Sequence, residues 1–206
     1  SVVNTQEDDA ERASKPVVLS AFNTIGLVGE ITEETSNEII FAMTTLKETI
    51  KSVTAEEENP GDEASEQQEC EMELFLSTPG GNADDMFAIY DIMRLVRGDC
   101  DIKVTAIGKV MSAGVLLLAA GTKGKRRIGK NCRIMMHSVI GGHIGPMYQM
   151  LNEVTEFKKI QEKYLDALVE ETNMSKAYLN RLLKKKVNVY LTAEEAVELG
   201  IADEVF

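Results

Sequence analysis

Basic residues are the first shortage in this chain of 206 residues: 22 Lys and Arg stand against 34 Asp and Glu, for a net charge of −12. A nucleic-acid partner needs a positive face, so none is expected. Cysteine is scarce as well. Cys70, Cys100 and Cys132 are odd in number and widely spaced, with neither a disulfide framework nor the CxxC spacing of a metal site. The simplest compartment on that reading is a reducing cytoplasm. The two histidines have no carboxylate or cysteine at ligand spacing, so no metal is expected. The longest apolar run, AGVLLLAA over residues 113–120, is about two helical turns, where a bilayer needs roughly 20 residues. It reads as a buried core helix, and no membrane partner is expected. The opening SVVNTQEDDAER has neither a basic region nor an apolar stretch, so it is not read as a signal peptide; a leader already removed would leave no trace.

What is present fits one α/β domain. Apolar residues are 44% and charged residues 27%, and a chain of this size buries roughly 70% of its unfolded surface. Residues 1–24 read as a polar arm and entry segment, and residues 25–206 as the domain. Residues 54–71 (TAEEENPGDEASEQQECE) hold eight acids and no base, which leaves −4 for the rest. With a Pro-Gly pair and little hydrophobicity they read as an acidic insertion. Strand candidates Ile25–Gly29, Met72–Leu76 and Ile102–Ile107 alternate with helical periodicity after Thr32, from Asn82 to Val96 and from Ala113 to Ala120. Short strands follow at Arg126–Ile128 and Cys132–Met136. A long helix then spans 147–170, Ser175 caps another, and a strand covers Val187–Tyr190. A Thr192-x-x-Glu195 capping box opens the last helix before a final strand, Ile201–Val205. Alternation of this kind argues for a single α/β domain.

Three places are candidates for chemistry. Pro79-Gly80-Gly81 ends a strand; it is either a tight turn or a place where backbone N–H groups approach a substrate. It carries no dinucleotide fingerprint, since no G-x-G-x-x-G follows the strand. Ser112, in GKVMSAG, precedes an apolar helix; it is either a helix cap or a hydroxyl set at a helix N-terminus, with the next N–H free for an oxyanion. His137 ends the apolar strand CRIMMH, where it either satisfies a local hydrogen bond or serves as an acid–base group. His143, in the glycine-rich stretch of Gly141, Gly142 and Gly145, reads as a loop histidine. Ser112 and His137 lie on successive elements, with a glycine pair on the preceding one able to complete an oxyanion hole.

The stretches STPGGN, GKVMSAGVLLLAAGTKGKRRIGKNCRIMMH and LTAEEAVELGIADEV resemble the proteolytic subunit ClpP, a serine peptidase family that works with AAA+ unfoldases. The similarity runs from about Ile25 to Val205. It implies the ClpP/crotonase-like fold, a single-domain spiral of strand–strand–helix units with a protruding handle helix at 147–170. It implies Ser112 as nucleophile, His137 as general base, and the N–H groups of Gly81 and Ala113 as oxyanion donors. Gly80, Gly141 and Gly142 fall in the family's substrate-binding segments. The resemblance further implies a homo-oligomer of two stacked heptameric rings, unfolded protein substrates and an unfoldase of the ClpX, ClpA or ClpC type. ATP would be used by that partner, and no cofactor is expected in this chain.

The chain also departs from the family's pattern. Asn188 stands where the third triad member, an Asp, is usual. The oligomer-sensing Arg–Asp pair is replaced by the basic run Lys184–Lys186. Ala113 replaces Met, and Ser138-Val139 replaces Gln-Pro. Glu73 and Phe75 stand where two docking tyrosines are common, and 54–71 has no usual counterpart. The leading expectation is a serine endopeptidase with a Ser-His-Asn triad. The alternative is a weakly active or non-catalytic subunit that acts in mixed rings with a second ClpP-like chain. An acyl-CoA enzyme of the crotonase type on the same fold has no positive support.

Overall fold

The computed structural model describes residues 23–57, 70–142, 144–184 and 188–206. The chain order is β1 (Thr24–Val28), α1 (Glu33–Glu57), β2 (Glu71–Thr78), α2 (Ala83–Arg97), β3 (Asp101–Met111), α3 (Ala113–Ala119), β4 (Arg126–Ile128) and β5 (Arg133–Met136). Then follow α4 (Met147–Glu171), α5 (Lys176–Leu183), β6 (Val189–Leu191), α6 (Ala193–Glu198) and β7 (Glu204–Val205). The sheet runs β1-β2-β3-β4-β7, with β5 beside β3 and β6 beside β5. Every pairing is parallel except β5 with β6. This is a mixed α/β domain with a parallel sheet, as the alternating elements require.

The local chemistry explains the elements. Along β2 alternate residues are buried, with Met72, Leu74, Leu76 and Thr78 on one face, the period-two pattern of a strand. Asn82 caps α2 by accepting from Asp84 N and Asp85 N; Ser175 accepts from Tyr178 N, and the Thr192/Glu195 capping box is complete. Every residue of α3 is buried, so the AGVLLLAA run is the central core helix.

The structure corrects several boundaries. Strand β3 runs four residues past the expected end at Ile107, to Met111. The first half of that strand pairs with β4 through Val104–Ala106, and the second with β5 through Lys109–Met111. Gly108, at φ +66°, lies between the halves and lets the strand change neighbour. Helix α1 continues to Glu57 and β2 begins at Glu71, so the acidic insertion is shorter at both ends than its composition suggests. Residues 58–69 and 1–22 lie outside the described residues, as do His143 and residues 185–187.

The cysteine reading is also corrected. Cys70 and Cys100 form a disulfide, with Cα atoms 4.6 Å apart. Glu71 pairs with Asp101 in the β2–β3 register, so the residues one step earlier face each other. A separation of 30 residues conceals that neighbourhood until the strands are paired. Cys132 remains a free, buried thiol.

Candidate active site

Strand pairing brings the candidate residues together. In the β3–β5 register Met111 faces Met135, and the N–H of Ser112 donates to Met135 O at 2.8 Å. His137 lies two residues past that partner, so nucleophile and base candidates stand at the same end of adjacent parallel strands. The turn after β2 completes the third side. There Ile31 N donates to Gly80 O and Asn82 N to Ile31 O, both at 2.9 Å. A Cβ on Gly81 would stand 2.1 Å from Ile31 O, and one on Gly80 2.7 Å from Ser112 Cβ. Only glycine lets the chain pass this close to both segments. Gly80 also has φ +99°, which other residues rarely adopt.

Ser112 has φ +54° and ψ −120°, and it and Asn23 are the only non-glycine residues of positive φ among the described residues. Such backbone costs on the order of 1–3 kcal/mol and persists where surrounding contacts over-determine it. Its carbonyl accepts from Val115 N at 3.0 Å and from the Tyr164 hydroxyl at 3.1 Å. Its side chain makes no capping hydrogen bond, so the helix-cap alternative does not describe its hydroxyl. Among the described residues, no hydrogen bond takes up the N–H of Gly81 or of Ala113.

His137 Nδ1 lies 2.5 Å from Ser138 O. A carbonyl oxygen only accepts, so the proton belongs on Nδ1, and Nε2 of the neutral ring carries the free lone pair. No hydrogen bond joins His137 to Ser112 or to Asn188 among the described residues. Asn188 is exposed and lies one step before Val189, which pairs with Met136. Continuing that antiparallel register sets Asn188 opposite His137.

Ser112, Ala113, Gly81 and His137 line one cavity of about 390 Å³. Met86, Val139, Ile140, Phe157, Ile160 and Tyr164 give it an apolar wall, with Asn82 and Asp84 at its border. Gly80 stands behind Ser112. Gly141 and Gly142 are both exposed, and a Cβ on Gly141 would approach the Phe157 ring to 2.5 Å; neither lines this cavity. Cys132 does not line this cavity, and burial pushes its thiol up to about 11. Tyr164 makes the contact to Ser112 that sequence reading missed. A tyrosine in the apolar face of a helix reads as core, and its hydroxyl partner is 52 residues away.

Comparison with family models gives a match to Clp protease over residues 63–206, well over half the chain. The chain belongs to the Clp protease family. Membership makes it a ClpP-type peptidase by descent, and the parallel α/β domain described above agrees with that family's fold. The Clp protease match includes the turn after β2, Ser112, His137 and Asn188, so all elements that border the cavity on this side fall within it.

Proposed function

We propose that the chain is a serine endopeptidase subunit that cleaves unfolded polypeptides through an acyl-enzyme. Ser112 Oγ attacks the scissile carbonyl while His137 Nε2 takes the hydroxyl proton. The protonated ring then gives that proton to the leaving amine, and water repeats the sequence to release the acyl group. The N–H groups of Gly81 and Ala113 hold the oxyanion; one such donor typically contributes about 3–4 kcal/mol to transition-state stabilisation. Asn188 is the third member, an acceptor for Nδ1–H once the ring turns from Ser138. The observation that carries the reading is the uncapped Ser112 hydroxyl, held at positive φ in one cavity with His137 and with two N–H groups that no hydrogen bond takes up among the described residues.

Assembly belongs to the same proposal. Ile144, Met147, Tyr148 and Leu151 are more than half exposed, and Val154 nearly so, which leaves the outer half of α4 an uncovered apolar face. A second copy covers it in a double ring of heptamers, the chamber admits only unfolded chains, and an AAA+ unfoldase supplies them.

A conditionally active subunit in mixed rings is the second reading, favoured by the His137 Nδ1 contact to Ser138 O in place of one to Asn188. Labelling with a fluorophosphonate, alone and with a candidate partner subunit, separates the two. The first reading requires Ser112 to be labelled in the homomeric protein; labelling only with the partner supports the second. Ser112→Ala should abolish labelling and peptide hydrolysis while leaving assembly unchanged. Hydrolysis that survives this substitution would place the nucleophile elsewhere.

A further inference from the structure

We propose that Tyr164 is a positioning residue for the peptidase reaction, aiming the Ala113 N–H into the oxyanion hole through the carbonyl of Ser112. The inference rests on the serine-peptidase reading above and deepens it. The peptide unit between Ser112 and Ala113 is a rigid trans plane, with its C=O and its N–H pointing in opposite directions. Fixing the carbonyl therefore fixes the N–H. Two donors fix it: Val115 N at 3.0 Å, which belongs to the first turn of α3, and the Tyr164 hydroxyl at 3.1 Å, which comes from α4. The first donor is local and moves with the turn it belongs to. The second ties the plane to a separate element, so it resists rotation of the whole strained turn about Ser112.

A donated hydrogen bond at the carbonyl also polarises the peptide unit and strengthens its N–H as a donor, an effect that grows in a water-poor site. Tyr164 is 4% exposed, and burial pushes its phenol upward, so the hydroxyl keeps its proton throughout the working range. It is the first buried residue of α4 counted from Met147, followed by Leu165 and Leu168 in the core. The hydroxyl thus hangs from the point where the long helix is clamped.

Tyr164→Phe keeps the ring and removes only the donor. The expected result is a kcat about fivefold to tenfold lower, with KM and melting temperature near the parent's. The decisive readout is inhibitor binding. A peptide boronate, whose tetrahedral adduct uses the oxyanion hole, should weaken by the same factor, while a non-covalent product peptide binds as before. Placing 4-aminophenylalanine at 164 restores a donor in the same volume and should recover part of the rate. If Tyr164→Phe is recovered unfolded, the 4-aminophenylalanine variant gives the comparison: its weaker donor should lower kcat and boronate affinity by one common factor with product-peptide binding unchanged, and values equal to the parent's would overturn the proposal. Unchanged kcat and boronate affinity in Tyr164→Phe overturn the proposal. So does a loss in which boronate and product peptide weaken alike and the melting temperature falls, since that is packing alone. A parent chain that takes up no fluorophosphonate under any condition fails the peptidase reading itself, before any variant is made, and removes this proposal with it.

Discussion

His137 spends its Nδ1 proton on Ser138 O, and a carbonyl can fix a tautomer without offering charge. Asn188 has the same limitation. It accepts a hydrogen bond but supplies no negative charge for the imidazolium that forms during attack. Asn188→Asp should therefore raise kcat severalfold with little change in KM, because the gain appears only in the transition state. Steady-state hydrolysis of a short peptide by the assembled protein checks this, and an unaltered kcat would mean that Ser138 O alone orients the ring. Ser112, His137 and the glycine pair were legible in the sequence because each sits in a contiguous stretch with turn or strand-end chemistry. The 25 positions between Ser112 and His137 were legible only as successive elements; the β3–β5 register is what makes them neighbours. Tyr164 and the Cys70–Cys100 bond were not legible, since both depend on which distant segments pack together.

Among the described residues, helix α4 buries side chains only in its last third, from Tyr164 to Glu171. Glu171, 2% exposed, accepts from both Arg97 Nη1 and Arg97 Nη2 at 2.9 Å and from the Tyr90 hydroxyl at 3.0 Å. Beside it Arg126 donates to Asp203 and to the carbonyl of Glu171. Burial alone would raise the Glu171 carboxyl, but the Arg97 hydrogen bonds and charge outweigh it and hold the group below its ordinary value of 4.5. The sign follows from linkage. A carboxylate depressed in the folded state contributes stability above its unfolded value, and that contribution disappears as pH falls through the folded one. The melting temperature of the parent should thus decline below about pH 4.5. Glu171→Gln should flatten part of that decline and lower stability at neutral pH by about 3–5 kcal/mol, because Arg97 is left without its countercharge. Thermal melts across pH 3–7 test both, and parallel curves for parent and variant would remove Glu171 from the account. The sequence showed this helix by its periodicity, with the same start and an end one residue short. It gave no sign of the buried ion pair, because Arg97 and Glu171 are 74 positions apart.

At the scale of the whole molecule, the outer half of α4 and the segment before it leave an unusual amount of apolar side chain in water. Ile144 is fully exposed and Tyr148 76% exposed. A solitary chain of 22.7 kDa with that face uncovered should self-associate. Sedimentation velocity should show a particle many times the chain mass, dispersed by Tyr148→Glu combined with Leu151→Glu. A monomer at every salt and protein concentration would contradict the ring. The α/β class, its central buried helix and the single-domain organisation followed from alternating periodicity. The division of β3 between two neighbours did not, because the expected strand stopped at Ile107, short of the half that pairs with β5.

The Cys70–Cys100 bond makes residues 70–100 a covalent ring that contains all of β2 and α2 and the turn through Gly80 and Gly81. A protease that cuts once inside this ring opens the chain without dividing it. The nicked protein keeps its full mass under denaturing conditions, and two fragments separate only after a thiol reductant is added.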